Sequence, residues 1–203
     1  DLLRSRTEYQ NVYTVFAGGD DLFLIGPWNC IIDLTRELKQ SFAQYVCQNS
    51  EIHFSAGITV HKPNTPVSHM AEQAEESLKI AKNRGRNRLT LFGETVLWDQ
   101  TDELHAIRQS LESWLNDGWI NAAMLYRLNE LLIAAGKEKQ VVENRIVHLK
   151  DMDCTRWRAM LAYTVGRNVG QSLPKEKRKV ANIPEMAKII HSDVGKWLMN
   201  LGS

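Results

Sequence analysis

Residues 12–25 read VYTVFAGGDDLFLI, two apolar runs joined by two glycines and two aspartates. Val12 to Ala17 is β-branched, aromatic and apolar on both faces, the pattern of a strand buried on both sides. Leu22 to Ile25 repeats that pattern. The insert between them is a turn, so the runs fold back as a β-hairpin, with the glycines supplying the positive φ a tight connection needs. Pro27 ends the second strand. A turn asks for Gly or Asp; it does not ask for two adjacent acids, Asp20 and Asp21, between two core strands.

The rest of the first half alternates helix and strand. Ile31 to Cys47 reads as a helix with Leu34, Leu38, Phe42 and Tyr45 on one stripe. Ile52 to Val60 alternates Ile52, Phe54, Ala56, Ile58 and Val60 inward, as a strand does. Thr65 as N-cap and Pro66 at the first position open a second helix, whose stripe is Ala71, Ala74, Leu78 and Ala81. Gly85 stops it, and Arg88 to Phe92 forms a last strand. The order β-β-α-β-α-β is that of a ferredoxin-like or polymerase-palm unit lacking one opening strand and helix. The chain starts at Asp1 and enters an apolar strand within about ten residues, so a longer protein, truncated at its N-terminus, is expected.

From about residue 98 every signal is helical: Leu104, Ile107, Leu111, Trp114 and Leu115; then Met124, Leu128, Leu131 and Leu132; then Trp157, Met160, Leu161 and Thr164; then a helix from about Met186 to Leu201. The expected fold is therefore α+β, a palm-type domain over residues 1–97 followed by an all-α domain over 98–203. Net charge is +1, so an anionic partner must be met by a local patch rather than a global field. No apolar run approaches the roughly 20 residues of a membrane span. Cys30, Cys47 and Cys154 have no zinc-type spacing and read as reduced thiols of a cytoplasmic protein.

Adjacent aspartates at a hairpin tip can hold Mg²⁺, or Mn²⁺, through hard oxygen ligands shared with substrate phosphates. Glycines beside them admit those phosphates, where a Cβ would clash. An exposed hairpin turn would use the same residues. A second signal is LKIAKNRGRNRLTLF, residues 78–92, with Lys82, Arg84, Arg86 and Arg88 around Gly85. These cations suit a triphosphate; they also suit the negative end of a helix dipole.

Together, G-G-D followed by A-K-x-x-G-R-N-R and an apolar strand resembles the GGDEF nucleotidyl cyclases. Asp21-Leu22 stands where that family has Glu-Phe, and the Arg common before its motif is absent. FAGGDDLFLIG, the strand FSAGI (Phe54 to Ile58), MLYRLNELL (Met124 to Leu132) and AMLAYTVGRN (Ala159 to Asn168) look more like the GGDD palm and helical domain of the large polymerase-like subunit of type III-A (Csm) CRISPR effectors. That resemblance implies cyclic oligoadenylate synthesis from ATP, switched on by target RNA. It implies metal and catalytic roles for Asp20 and Asp21, and nucleotide contacts for Gly18, Gly19 and Lys82. Other effector subunits, guide RNA and target RNA are the implied partners. In that family the site lies between two palms, and only one is present here, so this chain alone is expected to be nearly inactive. A GTP-using diguanylate cyclase and a non-catalytic scaffold are the alternatives.

Other residues are open to two readings. His53, His61 and His69 recur every eight residues but straddle a strand, a loop and a helix start, and ordinary surface or core roles account for them. Ser55 beside Ala56-Gly57 is a strand serine or a ligand contact. Lys175, Lys177, Arg178 and Lys179 form a solvated loop or a phosphate contact. Trp114, Trp119, Trp157 and Trp197 read as helical core or as a subunit interface.

Overall fold

Tyr13–Gly18 (β1) and Asp21–Ile25 (β2) pair antiparallel in the computed structural model, which describes residues 6–143 and 149–201. Gly18 faces Asp21, leaving Gly19-Asp20 as a two-residue loop. Gly19 takes φ of +63° and Asp20 does not share the left-handed region, the signature of a type II′ turn. Only one of the two glycines therefore supplies positive φ. The register shifts between Thr14 and Phe16, so Val15 is a bulge that adds twist.

The hairpin differs from its expected burial. All six residues of β1 are exposed, and only Phe23 to Ile25 of β2 are half-buried. The physical reason is the pairing: β1 and β2 form a sheet of their own, and the other strands form a second one. An apolar composition on both faces requires covering layers, and among the described residues β2 is the one element in extensive contact with β1.

The second sheet runs β3-β4-β5, with Ala56–Ile58 (β3) parallel to Arg88–Leu91 (β4) and Glu94–Leu97 (β5) antiparallel to it. The strand expected over 52–60 thus shrinks to its centre; Ile52 and Val60 are exposed. β5 was not expected. It follows a two-residue turn in which Phe92 and Gly93 take φ of +54° and +85°, a type I′ geometry for which Phe gives no sequence signal.

Trp28–Tyr45 (α1) starts three residues earlier than its pattern suggests, and Tyr45 lies outside its buried stripe. Val67–Asn83 (α2) joins β3 to β4. Pro66 is its N-cap residue, and the Thr65 hydroxyl donates to the Lys62 carbonyl instead of capping. Ile58, Leu89 and Trp98 form the core, with Ile31, Phe54 and Leu91 against it. Phe54 ties this core together: its ring meets Phe42 edge-on at 5.3 Å, and its carbonyl accepts from Trp98 Nε1 at 3.1 Å.

Two compact units result, Asp1–Leu104 and His105–Ser203, with Trp98–Asn116 (α3) running through the boundary. The second unit continues with Ala122–Glu143 (α4), a 3-10 segment Leu149–Arg156, Trp157–Asn168 (α5), Lys175–Val180 (α6) and Ile183–Leu201 (α7). Met124, Leu128, Leu131 and Ala135 of α4 meet Leu161 and Val165 of α5 and Ile190, Val194 and Leu198 of α7. The i, i+4, i+7 spacing supplies each face. Trp114 and Trp157 are buried in this core, and Trp197 stacks on Trp114 at 5.4 Å. Met160, which spacing puts in the same stripe, is instead 53% exposed. Among the described residues no helix is long and apolar enough to cross a membrane. Asp1 and the closing Gly202-Ser203 lie outside the described residues.

Candidate functional site

The hairpin turn presents Asp20 and Asp21 to solvent. Asp20 is the second loop residue of the turn and Asp21 the first of β2, opposite Gly18. Neither carboxylate is engaged by a protein cation or a side-chain donor among the described residues. The sequence alone suggests two acids wedged in a core, where they would repel strongly. Solvent-exposed, they repel little, because water and salt screen them.

Two free, hard carboxylates suit a divalent cation that completes its shell with water or phosphate oxygens. No group of three or more His, Cys, Asp or Glu side chains converges elsewhere among the described residues. His61 and His69 do approach, with ring centroids 6.4 Å apart. Their nitrogens are directed at other partners, His61 at the Thr59 hydroxyl and His69 at Gln73. His53 is exposed and apart from them.

Of the two glycines beside the acids, only Gly19 is bare: the Phe16 ring lies over Gly18, with Cζ 3.0 Å from where a Cβ there would stand. Nothing lies within 4 Å of where a Cβ on Gly19 would stand, so that side of the turn is open. Its left-handed φ disfavours any L side chain there.

Lys82 stands in the last turn of α2 and is exposed. Lys79, one turn earlier, is held by Glu75 at 2.7 Å, whereas Lys82 makes no ion pair among the described residues. Its charge is still felt: with the Lys79 hydrogen bond and charge acting first, it helps hold the Glu75 carboxyl below its ordinary range. Beyond it, Gly85, Arg86 and Asn87 all take positive φ, at +119°, +55° and +51°. This left-handed run turns the chain from α2 into β4. Arg84 and Arg86 are exposed, but Arg88 is half-buried. The Arg88 guanidinium lies against Gly85, with Nη2 3.2 Å from where a Cβ there would stand. Arg88 Nε and Asn87 Oδ1 are buried without a hydrogen-bond partner among the described residues. Sequence reasoning passed over Asn87, whose only signal is its place in a basic turn. Asp20 and Asp21 thus share one turn, while Lys82 sits on a separate element and pairs with neither.

A G-G-D-D hairpin, a helix ending in a basic turn and an edge of short strands define a polymerase-type palm domain. Residues 2–90 match the family model of the Cas10/Cmr2 second palm domain. The chain is 28% identical over 172 residues to a CRISPR system single-strand-specific deoxyribonuclease Cas10/Csm1 (subtype III-A) of Thermococcus onnurineus, covering 82% of this chain and 21% of the relative. It is 32% identical over 142 residues to the Cas10/Csm1 protein of Streptococcus thermophilus, covering 66% and 18%. With that of Methanocaldococcus jannaschii it is 33% identical over 101 residues, covering 44% and 13%. Together these matches support a C-terminal Cas10 fragment, and the chain spans about a fifth of the length of the first of these relatives.

Proposed function

We propose that this chain is the GGDD palm and helical part of a subunit in an RNA-guided type III CRISPR effector complex, and that the palm makes cyclic oligoadenylate from ATP when target RNA is bound. The observation that carries the reading is the turn itself: two exposed carboxylates, unpaired among the described residues, beside the open backbone of Gly19. In the reaction the 3′-hydroxyl of one nucleotide attacks the α-phosphorus of the next. A new P–O bond forms, the bond to pyrophosphate breaks, and the hydroxyl proton leaves to solvent.

Asp20 and Asp21 hold the cation. A bound Mg²⁺ or Mn²⁺ supplies Lewis acidity toward triphosphate oxygens and hydroxyl. Gly19 lets the triphosphate approach the backbone, and Lys82, without an ion pair among the described residues, offers a cation to its charge. The family match favours this reading over a GTP-using diguanylate cyclase. The deoxyribonuclease activity in the relatives' names belongs to those longer proteins, and the hairpin is the site assigned here.

The test is Asp20→Asn/Asp21→Asn in the full-length protein, assembled with its guide complex, matching RNA, Mg²⁺ and labelled ATP or GTP. Loss of about 100-fold or more of the oligoadenylate product, with assembly intact, is expected from removing the cation's ligands. Undiminished product in the variant overturns the assignment of the acids. A cyclic dinucleotide made from GTP without RNA overturns the substrate, and absence of product from the wild type leaves the scaffold reading.

A further inference from the structure

The helical unit carries a feature that the palm chemistry does not use. Where α4 and α5 pack through Leu131 and Leu161, their outer edges leave a groove of about 890 Å³. Three arginines border it: Arg127 from α4, Arg156 at the end of the 3-10 segment and Arg167 from the last turn of α5. Glu130 is the one carboxylate in the lining.

Among the described residues none of the three guanidiniums is neutralised by a buried acid. Arg127 reaches Asn168 Oδ1 at 3.4 Å, a neutral partner. Arg156 pairs with Asp153 at 3.4 Å, but both side chains are more than 70% exposed, where such a pair contributes little. Arg167 lies over the Tyr163 ring, 5.7 Å from its centroid, and donates to the Tyr163 hydroxyl. Tyr163 and Met160, three residues apart on α5, stand 61% and 53% exposed in the same groove. A charged rim around an exposed aromatic and a thioether has a specific chemical fit. Guanidinium forks match phosphates, and flat or soft apolar faces match unstacked bases.

We infer that this groove binds a single-stranded polynucleotide, with Arg127 and Arg167 on phosphates at one end of α5, Arg156 on a phosphate at the other, and Tyr163 and Met160 against bases between them. The inference does not rest on the hairpin. Charge complementarity selects an anionic occupant, and the exposed ring selects bases over a featureless polyanion. A duplex keeps its bases stacked and out of reach of Tyr163.

The 203-residue chain is titrated against fluorescein-labelled oligo-rU and oligo-dT, read by anisotropy at several salt concentrations. Wild type binds one or both. Arg127→Gln/Arg156→Gln/Arg167→Gln weakens binding by at least about tenfold at low salt and lowers the salt slope by about 2, at roughly 0.7 per phosphate contact. Tyr163→Ala weakens it by about tenfold with the salt slope unchanged. All four side chains are exposed, so circular dichroism should show an intact fold; if the triple variant unfolds, Tyr163→Ala carries the test. Lys175→Gln/Lys177→Gln/Lys179→Gln in α6 binds as wild type. The inference is overturned if wild type binds neither oligonucleotide, or if the groove variants bind like wild type. It is equally overturned if the α6 variant accounts for the loss, or if a duplex or polyglutamate competes as well as single strands.

Discussion

Gly57 lies in β3 where α2 crosses it, and replacing it with alanine tests the packing of the palm directly. A Cβ there would stand 2.4 Å from Leu78 N, 2.6 Å from Ala74 O and 2.8 Å from Ser77 C. Ordinary contact starts near 3.4 Å, so strand and helix must part by about 1 Å. Every clashing atom is backbone, and no rotamer change can relieve it. Overpacking costs about 1–3 kcal/mol. With a helix axis rather than a side chain to displace, Gly57→Ala belongs at the top of that range, about 3 kcal/mol. Against a domain stability of about 5–15 kcal/mol, that is severe but compatible with folding. Hydrogen exchange resolved by peptide reads it in place: amides of α2, β3 and β4 should exchange about 100-fold faster, while those of α4 and α5 keep their wild-type rates. Gly136→Ala is the matched control. Gly136 lies inside α4 with nothing within 4 Å of the added methyl, so it should stabilise by about 0.5–1 kcal/mol. If exchange in α2 and β3 stays within threefold of wild type in Gly57→Ala, the close strand–helix contact is wrong.

Two pH effects follow from the packing. Burial works to raise the Glu138 carboxyl, but hydrogen bonds from Arg158 at 2.7 Å and Trp157 Nε1 at 2.6 Å, with the Arg158 charge, outweigh it and hold the pKa below the ordinary 4.5. A depressed carboxyl contributes stability above its unfolded value and loses it as pH falls through the lower folded one, so calorimetry should show Glu138→Gln with a shallower acid limb than wild type. Burial, then the Glu37 carboxylate, push the Tyr9 hydroxyl up to about 12. A raised pKa contributes stability that is lost as pH climbs from about 10 to about 12; the phenolate absorbance of one of the five tyrosines should therefore appear late, and Tyr9→Phe should remove that alkaline loss.

Much of this molecule is legible in its sequence, for reasons that differ by element. The helical unit is readable because its stripes are long: Met124, Leu128, Leu131 and Ala135 repeat over three turns and bury as their spacing requires. The hairpin is readable from Gly-Gly-Asp-Asp, since few other connections fit four such residues. What fails is burial and the short strands. An apolar strand declares that it wants cover, not which layer supplies it, so β1 reads as core and stands exposed. β5 hides behind Phe92 because a left-handed phenylalanine contradicts every turn preference. Asn87 and the arginine groove depend on residues far apart in sequence, which periodicity cannot join. Met160 shows the limit within one stripe: a helix about 100° wide in its buried face leaves flanking positions undecided, and the neighbouring helix settles them.

The glycines before the acids serve the fold as well as the site. Phe16 and Phe23 are backbone partners across the hairpin. Phe16 and Gly18 are two residues apart and so project from the same face of β1. A Cβ at Gly18 would stand 3.0 Å from Phe16 Cζ, which means the ring already lies over the bare backbone at 18. An aromatic ring covering a glycine on its own sheet face protects a weak point of a ribbon that is otherwise marginal in water. The Val15 bulge fixes the register that brings Gly18 opposite Asp21. One short stretch thereby does two jobs with one set of residues. Phe16 shields the strand, Gly19 turns it with an open side, and Asp20 and Asp21 emerge at its end, unpaired among the described residues. The position of the acids is thus set locally, by the hairpin's own pairing, and their freedom from partners among the described residues leaves both carboxylates open to a cation.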